Sequence, residues 1–199
     1  MTTVSRSLLM VGVGGQGAIL CSRILAAGLI GLGYDLKMSE IHGMSQRGGS
    51  VSTQIRYGAK VYAPNIGLAE ADYLAAFEQV EALRFLPYLK PGGALITDEH
   101  RIKSMPVAAG LAAYPEGVLA ELERLVPGLT ILPGGRLARE LGQIRVQNIV
   151  FLGALVTIMG LDQVDWPALV ARYVPEKARQ INLEAFEAGR GYVDARKQG

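Results

Sequence analysis

SLLMVGVGGQGAIL, residues 7–20, is the stretch on which the fold turns. Ser7–Val11 is a short apolar run that stops at Gly12, as a buried strand does. From Gln16 to Leu32 the chain reads as a helix, apolar nearly all round, with only Ser22 and Arg23 clearly polar. Such a helix is buried on several sides. The residues between, GVGGQG (12–17), fit G-x-G-x-x-G. In that fingerprint Gly12 allows the tight turn, Gly14 lets a ligand or phosphate approach the backbone, and Gly17 lets helix and strand pack closely. Free amides at the helix start attract an anion. Gly33 then caps the helix, and Tyr34–Ser39 reads as a second strand. This is the opening βαβ of a doubly wound sheet. An acidic residue about 20 positions after the turn would bind a ribose hydroxyl, and Glu40 stands near that place. The same six residues frame a P-loop, but Ala18 and Ile19 stand where that loop needs Lys and Ser or Thr. A P-loop ATPase is therefore excluded. By itself the motif leaves three readings open: a bare βα turn, a site for phosphate or another anion, and a nicotinamide site.

Outward from this start, strands alternate with helices. VSTQIRYG (51–58) alternates and is rich enough in β-branched residues for a strand, with Gly58-Ala59 turning it towards a short partner at Lys60–Tyr62. Asp72–Phe77 reads as a buried strand, Glu78–Leu89 as a helix, Pro91-Gly92-Gly93 as a turn, and Ala94–Thr97 as a strand ending at Asp98. Residues 98–114 read mostly as loop. Pro115–Val126 is an amphipathic helix, and Thr130–Leu132 a short strand. Two helices are expected over 135–142 and 146–160, and two more over 165–190. The expectation is one α/β domain over residues 1–199, Rossmann-like and doubly wound, with a mostly parallel sheet. About 144–199 form its helical C-terminal extension.

Bulk properties narrow the function. The chain has 199 residues, half of them hydrophobic, enough for a sizeable core. A net charge of +2, with no basic run, gives no case for nucleic acid as a partner. No leader pattern opens the chain, and the longest apolar run, Ile149–Leu161, is too short for a bilayer span of about 20 residues. A cytoplasmic protein without a membrane partner is expected. Cys21, the single cysteine, sits among apolar residues as a structural thiol. A self-contained iron–sulfur cluster needs about four thiolates. His42 and His100 have no second ligand at metal spacing, so no metal site is assigned. GMSQRG is not the G-x-S-x-G elbow. No complete catalytic set emerges, which suits one part of a larger enzyme. A free-standing NAD(P)-binding oxidoreductase and a non-catalytic binding module of the same fold are the alternatives.

The second informative stretch is SEIHGMSQRGGSV (39–51). It follows the second strand, at the carboxyl edge, where open α/β sheets place ligands. Gly48-Gly49 permits close approach of a backbone or cofactor. Arg47 offers a fork of donors suited to carboxylate or phosphate, and Glu40 and His42 stand ready to orient it.

GVGGQG, SEIHGMSQRGGSV, the strand through IRYG, FEQVEALRFLPYLKPGG (77–93), QNIVFLGAL (147–155) and PEKARQINLEAFEAG (175–189) occur here in family order and spacing. Together they resemble the small (beta) subunits of indolepyruvate ferredoxin oxidoreductases. More broadly, the chain is similar to the gamma-type domain shared by 2-oxoacid:ferredoxin oxidoreductases of the pyruvate/ketoisovalerate group. The resemblance implies a large alpha subunit holding thiamine diphosphate, Mg and 4Fe-4S clusters. That partner would decarboxylate the 2-oxoacid oxidatively, pass electrons to ferredoxin and the acyl group to coenzyme A. The small subunit holds no cofactor alone, is inactive alone, and completes the active site. Relatives acting on oxoglutarate or branched oxoacids tend to carry Tyr-Gly-Pro-Glu before Arg-Gly-Gly. His42-Gly43-Met44-Ser45-Gln46 stands there in this chain, which favours indolepyruvate or another aryl pyruvate. Glu40, His42 and Arg47 are then expected beside the active site. Gly12, Gly14, Gly15, Gln16, Gly17, Gly48 and Gly49 are the expected cofactor-binding set, with the turn giving amide donors to coenzyme A. Isolated, the chain is expected to self-associate as a homodimer through the apolar patch meant for its partner.

Overall fold

Alternate residues of the first strand face two separate cores. Leu8 and Met10 pack with one set of helices, Leu9 and Val11 with another. Burial on both faces is why SLLMV reads as a continuous apolar run. This computed structural model describes residues 5–42, 48–103 and 105–197. In chain order its elements are β1 (Arg6–Val13), α1 (Ala18–Gly31), β2 (Asp35–His42), β3 (Ser50–Gly58), β4 (Ala71–Ala76), α2 (Gln79–Phe85), β5 (Leu89–Asp98), α3 (Met105–Ala108), α4 (Val118–Leu125), β6 (Thr130–Leu132), α5 (Gly134–Glu140), α6 (Gln147–Ile158), α7 (Trp166–Tyr173) and α8 (Arg179–Lys197).

The six strands form one sheet in the order β2-β3-β1-β4-β5-β6. The β1–β4, β4–β5 and β5–β6 pairings are parallel, while β3 runs antiparallel to both β1 and β2. The α/β, mostly parallel, doubly wound reading therefore holds, with one refinement. β2 does not lie beside β1, because the returning strand β3 occupies that place. The expected partner strand at Lys60–Tyr62 is absent. Val61 instead donates its N–H to Asp35 Oδ2 at 2.8 Å, so the chain crosses the sheet as a loop. The Pro91-Gly92-Gly93 turn lies inside β5. Between the pairs Ala71↔Leu89 and Tyr73↔Ala94 the register shifts, and residues 90–93 bulge out of the ladder.

Helices α1, α6 and α8 share one core with Leu8, Met10 and Ile55, while α2 and α4 cover the other face around Leu9, Val11, Leu74 and Leu95. Every α6 residue from Asn148 to Thr157 is buried. Two glycines let α6 and α8 touch backbone to backbone. A Cβ on Gly153 would lie 2.0 Å from the Phe186 carbonyl oxygen, and one on Gly189 would lie 1.9 Å from that of Val150. Trp166 is wedged against Gly28 of α1, and its indole N–H donates to the Leu161 carbonyl at 2.8 Å. The C-terminal helices thus pack into the same core as the sheet. Among the described residues no helix is long and apolar enough to cross a membrane.

Candidate functional site

The carboxyl edge of the sheet gathers both glycine-rich stretches. β1 leads into the turn at Gly14–Gly17, and β3 leaves the loop that follows β2, so the antiparallel hairpin returns that loop to the turn. Gly14 donates its N–H to the Gly49 carbonyl at 2.9 Å, and Gly48 N–H reaches the Gly14 carbonyl at 3.4 Å. Two segments about 35 residues apart in sequence are therefore one hydrogen-bonded unit. Residues 43–47, Arg47 among them, lie outside the described residues, as does the side chain of His42.

The turn is held from below by Gln16. Its side-chain carbonyl accepts from Val13 N–H at 2.7 Å, and its amide group donates to the Phe77 carbonyl at the end of β4, at 2.6 Å. One donor of the Gln16 amide is thereby committed to the turn itself. Its backbone N–H is also engaged, with Val13 O at 3.2 Å, and Gly14 N–H is engaged by Gly49. Gly15 and Gly17 are the turn residues whose N–H groups find no partner among the described residues. Both have positive φ, +104° and +80°, which favours glycine. A Cβ on Gly17 would lie 2.5 Å from the Asn148 side-chain amide, so its close approach is to the start of α6. Gly12 serves packing too, its missing Cβ leaving room for Gln16 and Phe77.

Clefts open on both sides of the turn. One, of about 280 Å³, lies between Val13–Ile19 and Val51. The other, of about 390 Å³, lies between the turn, Phe77, His100, Arg145, Gln147 and Asn148. It sits where the strand order reverses between β1 and β4, the switch point at which open α/β sheets bind ligands. Arg145 is exposed and lines this cleft together with Gly14, Gly15 and Gln16. The donor set suits an anionic group.

Glu40 lies elsewhere. It pairs in register with Thr53 on β3, two strands from β1, so it is displaced from the ribose position of a dinucleotide fold. The inserted β3 is the cause. Its Oε1 is buried with no hydrogen-bond partner among the described residues.

Asp98 was not singled out by the sequence reading. It ends β5, 1% exposed, and accepts from Gln147 Nε2 and from His100 N–H, both at 3.0 Å. A Cβ on Gly134 would clash with its Oδ2 at 2.3 Å. Burial pushes this carboxyl up to about 6, against the lowering effect of those two hydrogen bonds. Asp98 fixes two walls of the larger cleft without lining it. An acid closing an apolar run, ALITD, is the signal that marks such a position. Gln147-Asn148, polar residues opening an otherwise apolar helix, is another.

Cys21 is buried and donates its thiol to the Asn148 carbonyl at 3.0 Å, a packing role. Burial drives its pKa upward, away from thiolate chemistry.

Comparison with known proteins fits this geometry. The family described as pyruvate ferredoxin/flavodoxin oxidoreductase matches residues 7–192. The chain is 36% identical over 190 residues to the indolepyruvate oxidoreductase subunit IorB of Pyrococcus horikoshii, covering 92% of this chain and 93% of that one. Its fold superposes on a keto/oxoacid ferredoxin oxidoreductase gamma subunit from Geobacter sulfurreducens with a TM-score of 0.68 and 25% identity, over 96% of this chain and 99% of that one. It also matches part of the 2-oxoglutarate:ferredoxin oxidoreductase of Magnetococcus marinus, solved with 2-oxoglutarate, coenzyme A and succinyl-CoA bound. There the TM-score is 0.73 at 21% identity, over 96% of this chain and 31% of the other. The chain belongs to the pyruvate ferredoxin/flavodoxin oxidoreductase family.

Proposed function

We propose that this chain is the small subunit of a thiamine-dependent 2-oxoacid:ferredoxin oxidoreductase acting on indolepyruvate or a similar aryl pyruvate. The observation that carries the reading is the union of Gly14 with Gly48-Gly49 at the carboxyl edge. It brings Gly48 and Gly49 to the same edge as the Gly15 and Gly17 amides, which have no partner among the described residues. A large subunit would hold thiamine diphosphate, Mg and the iron–sulfur clusters, and the bound thiamine supplies the decarboxylation chemistry. A cluster needs about four thiolates, and this chain has one cysteine. The small subunit's own work is to bind and orient. Residues 40–49 face the large subunit, with Arg47 offering its fork to a carboxylate or phosphate. Coenzyme A is the co-substrate whose anionic groups suit the Gly15 and Gly17 amides and Arg145. The indolepyruvate preference rests on the His42–Gln46 segment and on the named function of the Pyrococcus horikoshii relative.

Exposed apolar side chains at this end agree with a covered surface. Ile41, at the end of β2, is 55% exposed, and Ile144, beside Arg145, is 43% exposed. The same surface is the one through which an isolated chain would form a homodimer. The double variant Glu40→Gln with Arg47→Ala, co-expressed with the large subunit, tests the reading. Impaired assembly or a raised KM for coenzyme A is expected. Full turnover with unchanged coenzyme A affinity would refute the interface role.

A further inference from the structure

Two buried carboxylates stand side by side on the first turn of α2. Glu78, 1% exposed, is the N-cap, and its Oε2 accepts from the N–H groups of Val80 at 2.7 Å and Glu81 at 3.1 Å. Its other oxygen accepts from Ile102 N–H at 3.3 Å and from the Tyr114 hydroxyl. Glu81, 4% exposed, is at N3. A glutamate at N3 ordinarily turns back to the N-cap amide as half of a capping box. Here its carboxylate instead accepts from the Ser50 hydroxyl and pairs with Arg84 at 3.3 Å. Ser50 is the residue directly after Gly48-Gly49.

This arrangement is costly. Burial raises the Glu81 pKa first, and the neighbouring Glu78 charge adds to it, while Ser50 and Arg84 oppose. A cavity of about 100 Å³ is lined by Gly48, Ser50, Glu78, Glu81, Ile102 and Tyr114, among others. Polar bonds from α2 therefore reach Ser50 ahead of β3 and Ile102 and Tyr114 beyond β5, around one cavity.

We propose that Glu81 is a positioning residue that sets the Gly48-Gly49 loop through Ser50, and that Glu78 ties the 102–114 segment to the same helical turn. The two flanks of the carboxyl edge are then fixed relative to each other by one turn of α2. The functional part of this inference rests on the reading that residues 40–49 meet the large subunit and coenzyme A.

The test uses the full chain, alone and co-expressed with its large subunit, carrying Ser50→Ala, Glu81→Ala or Ser50→Thr. Loss of a hydrogen bond to a charged group is expected to speed amide exchange at Gly48–Val51 by about tenfold in Ser50→Ala and Glu81→Ala. Ser50→Thr, which keeps the hydroxyl, exchanges as the wild type does. In the complex, the two alanine variants raise the coenzyme A KM or weaken subunit binding several-fold, with Ser50→Thr again unaffected. Unchanged exchange in both alanine variants overturns the tether whatever the complex does, and so does a threonine variant that behaves like alanine. If exchange quickens and Glu40→Gln with Arg47→Ala impairs the complex, yet the alanine variants do not, the positioning role is overturned. If none of these variants touches the complex, the interface reading itself fails, and with it the functional part of the inference.

Discussion

The α6–α8 crossing and the carboxyl edge of the sheet are both closely built, from opposite materials. At the crossing, Gly153 and Gly189 let two backbones meet without a polar side chain between them. At the edge, Gln16, Glu78, Glu81 and Asp98 are buried or half-buried polar groups whose bonds run to loops and to the starts of helices. Close packing holds elements together by shape alone, whereas a hydrogen bond also fixes a donor against an acceptor in distance and angle. The first region accounts for cohesion. The second fixes the geometry of the edge at which the proposed ligand and partner would be held.

The largest effect belongs to the crossing. Gly189→Val drives Cβ into the Val150 carbonyl, and strain of about 3 kcal/mol or more is expected, seen as a collapsed urea midpoint or loss of soluble protein. An unchanged midpoint would mean that the helices do not meet there.

Next comes Asp98, a buried acid of the edge. Its folded-state carboxyl titrates near 6 against an ordinary 3.8, a difference of ~3 kcal/mol. The folded chain holds this proton more tightly than the unfolded one. The associated stability is therefore full below about pH 4, is lost as pH rises towards about 6, and stays lost above. Asp98→Asn, with the Gln147 amide turned to present its oxygen, should flatten that decline. Denaturant midpoints of wild type and variant from pH 4 to 7.5 isolate the difference, and parallel curves would contradict the burial argument.

Gln16→Ala leaves Val13 N–H and the Phe77 carbonyl without their partner. A cost of about 2 kcal/mol is expected, together with faster exchange at the glycine turn. Loss of stability without altered exchange would make Gln16 a packing residue and no strut.

The smallest effect sharpens the contrast within a single helix. Gly191 lies two residues beyond Gly189, yet a Cβ there meets nothing within 4 Å. Gly191→Ala should stabilise the chain by about 0.5–1 kcal/mol, measurable as a small rise in Tm.

Much of the fold was legible because its signals are local. SLLMV stopping at Gly12, the apolar helix to Leu32 and the amphipathic 115–126 stretch carry their structure in their own patterning, within two or three residues at each end. Strand order is not local. VSTQIRYG reads as a strand, but nothing in it says that it returns between β1 and β2, and that single placement moved Glu40 away from the glycine turn. The 90–93 bulge was hidden for the same reason, since Pro-Gly-Gly reads as a turn unless the neighbouring strand is known. The site was half legible. Its glycines announced close approach, but which amides remain free depends on Gly49 and on the Gln16 side chain. QNIVFLGAL and the INLEAFEAG part of the later motif read as separate family signatures; folded, they are the two helices that meet at Gly153 and Gly189.

The most direct measurement is an anaerobic native pull-down of the tagged chain, with the eluate assayed for iron, thiamine and viologen reduction by indolepyruvate and coenzyme A. A large brown partner carrying that activity is the predicted result. A colourless chain that comes down alone and inactive would contradict the account, and nicotinamide bound to that lone chain would point to a dehydrogenase instead.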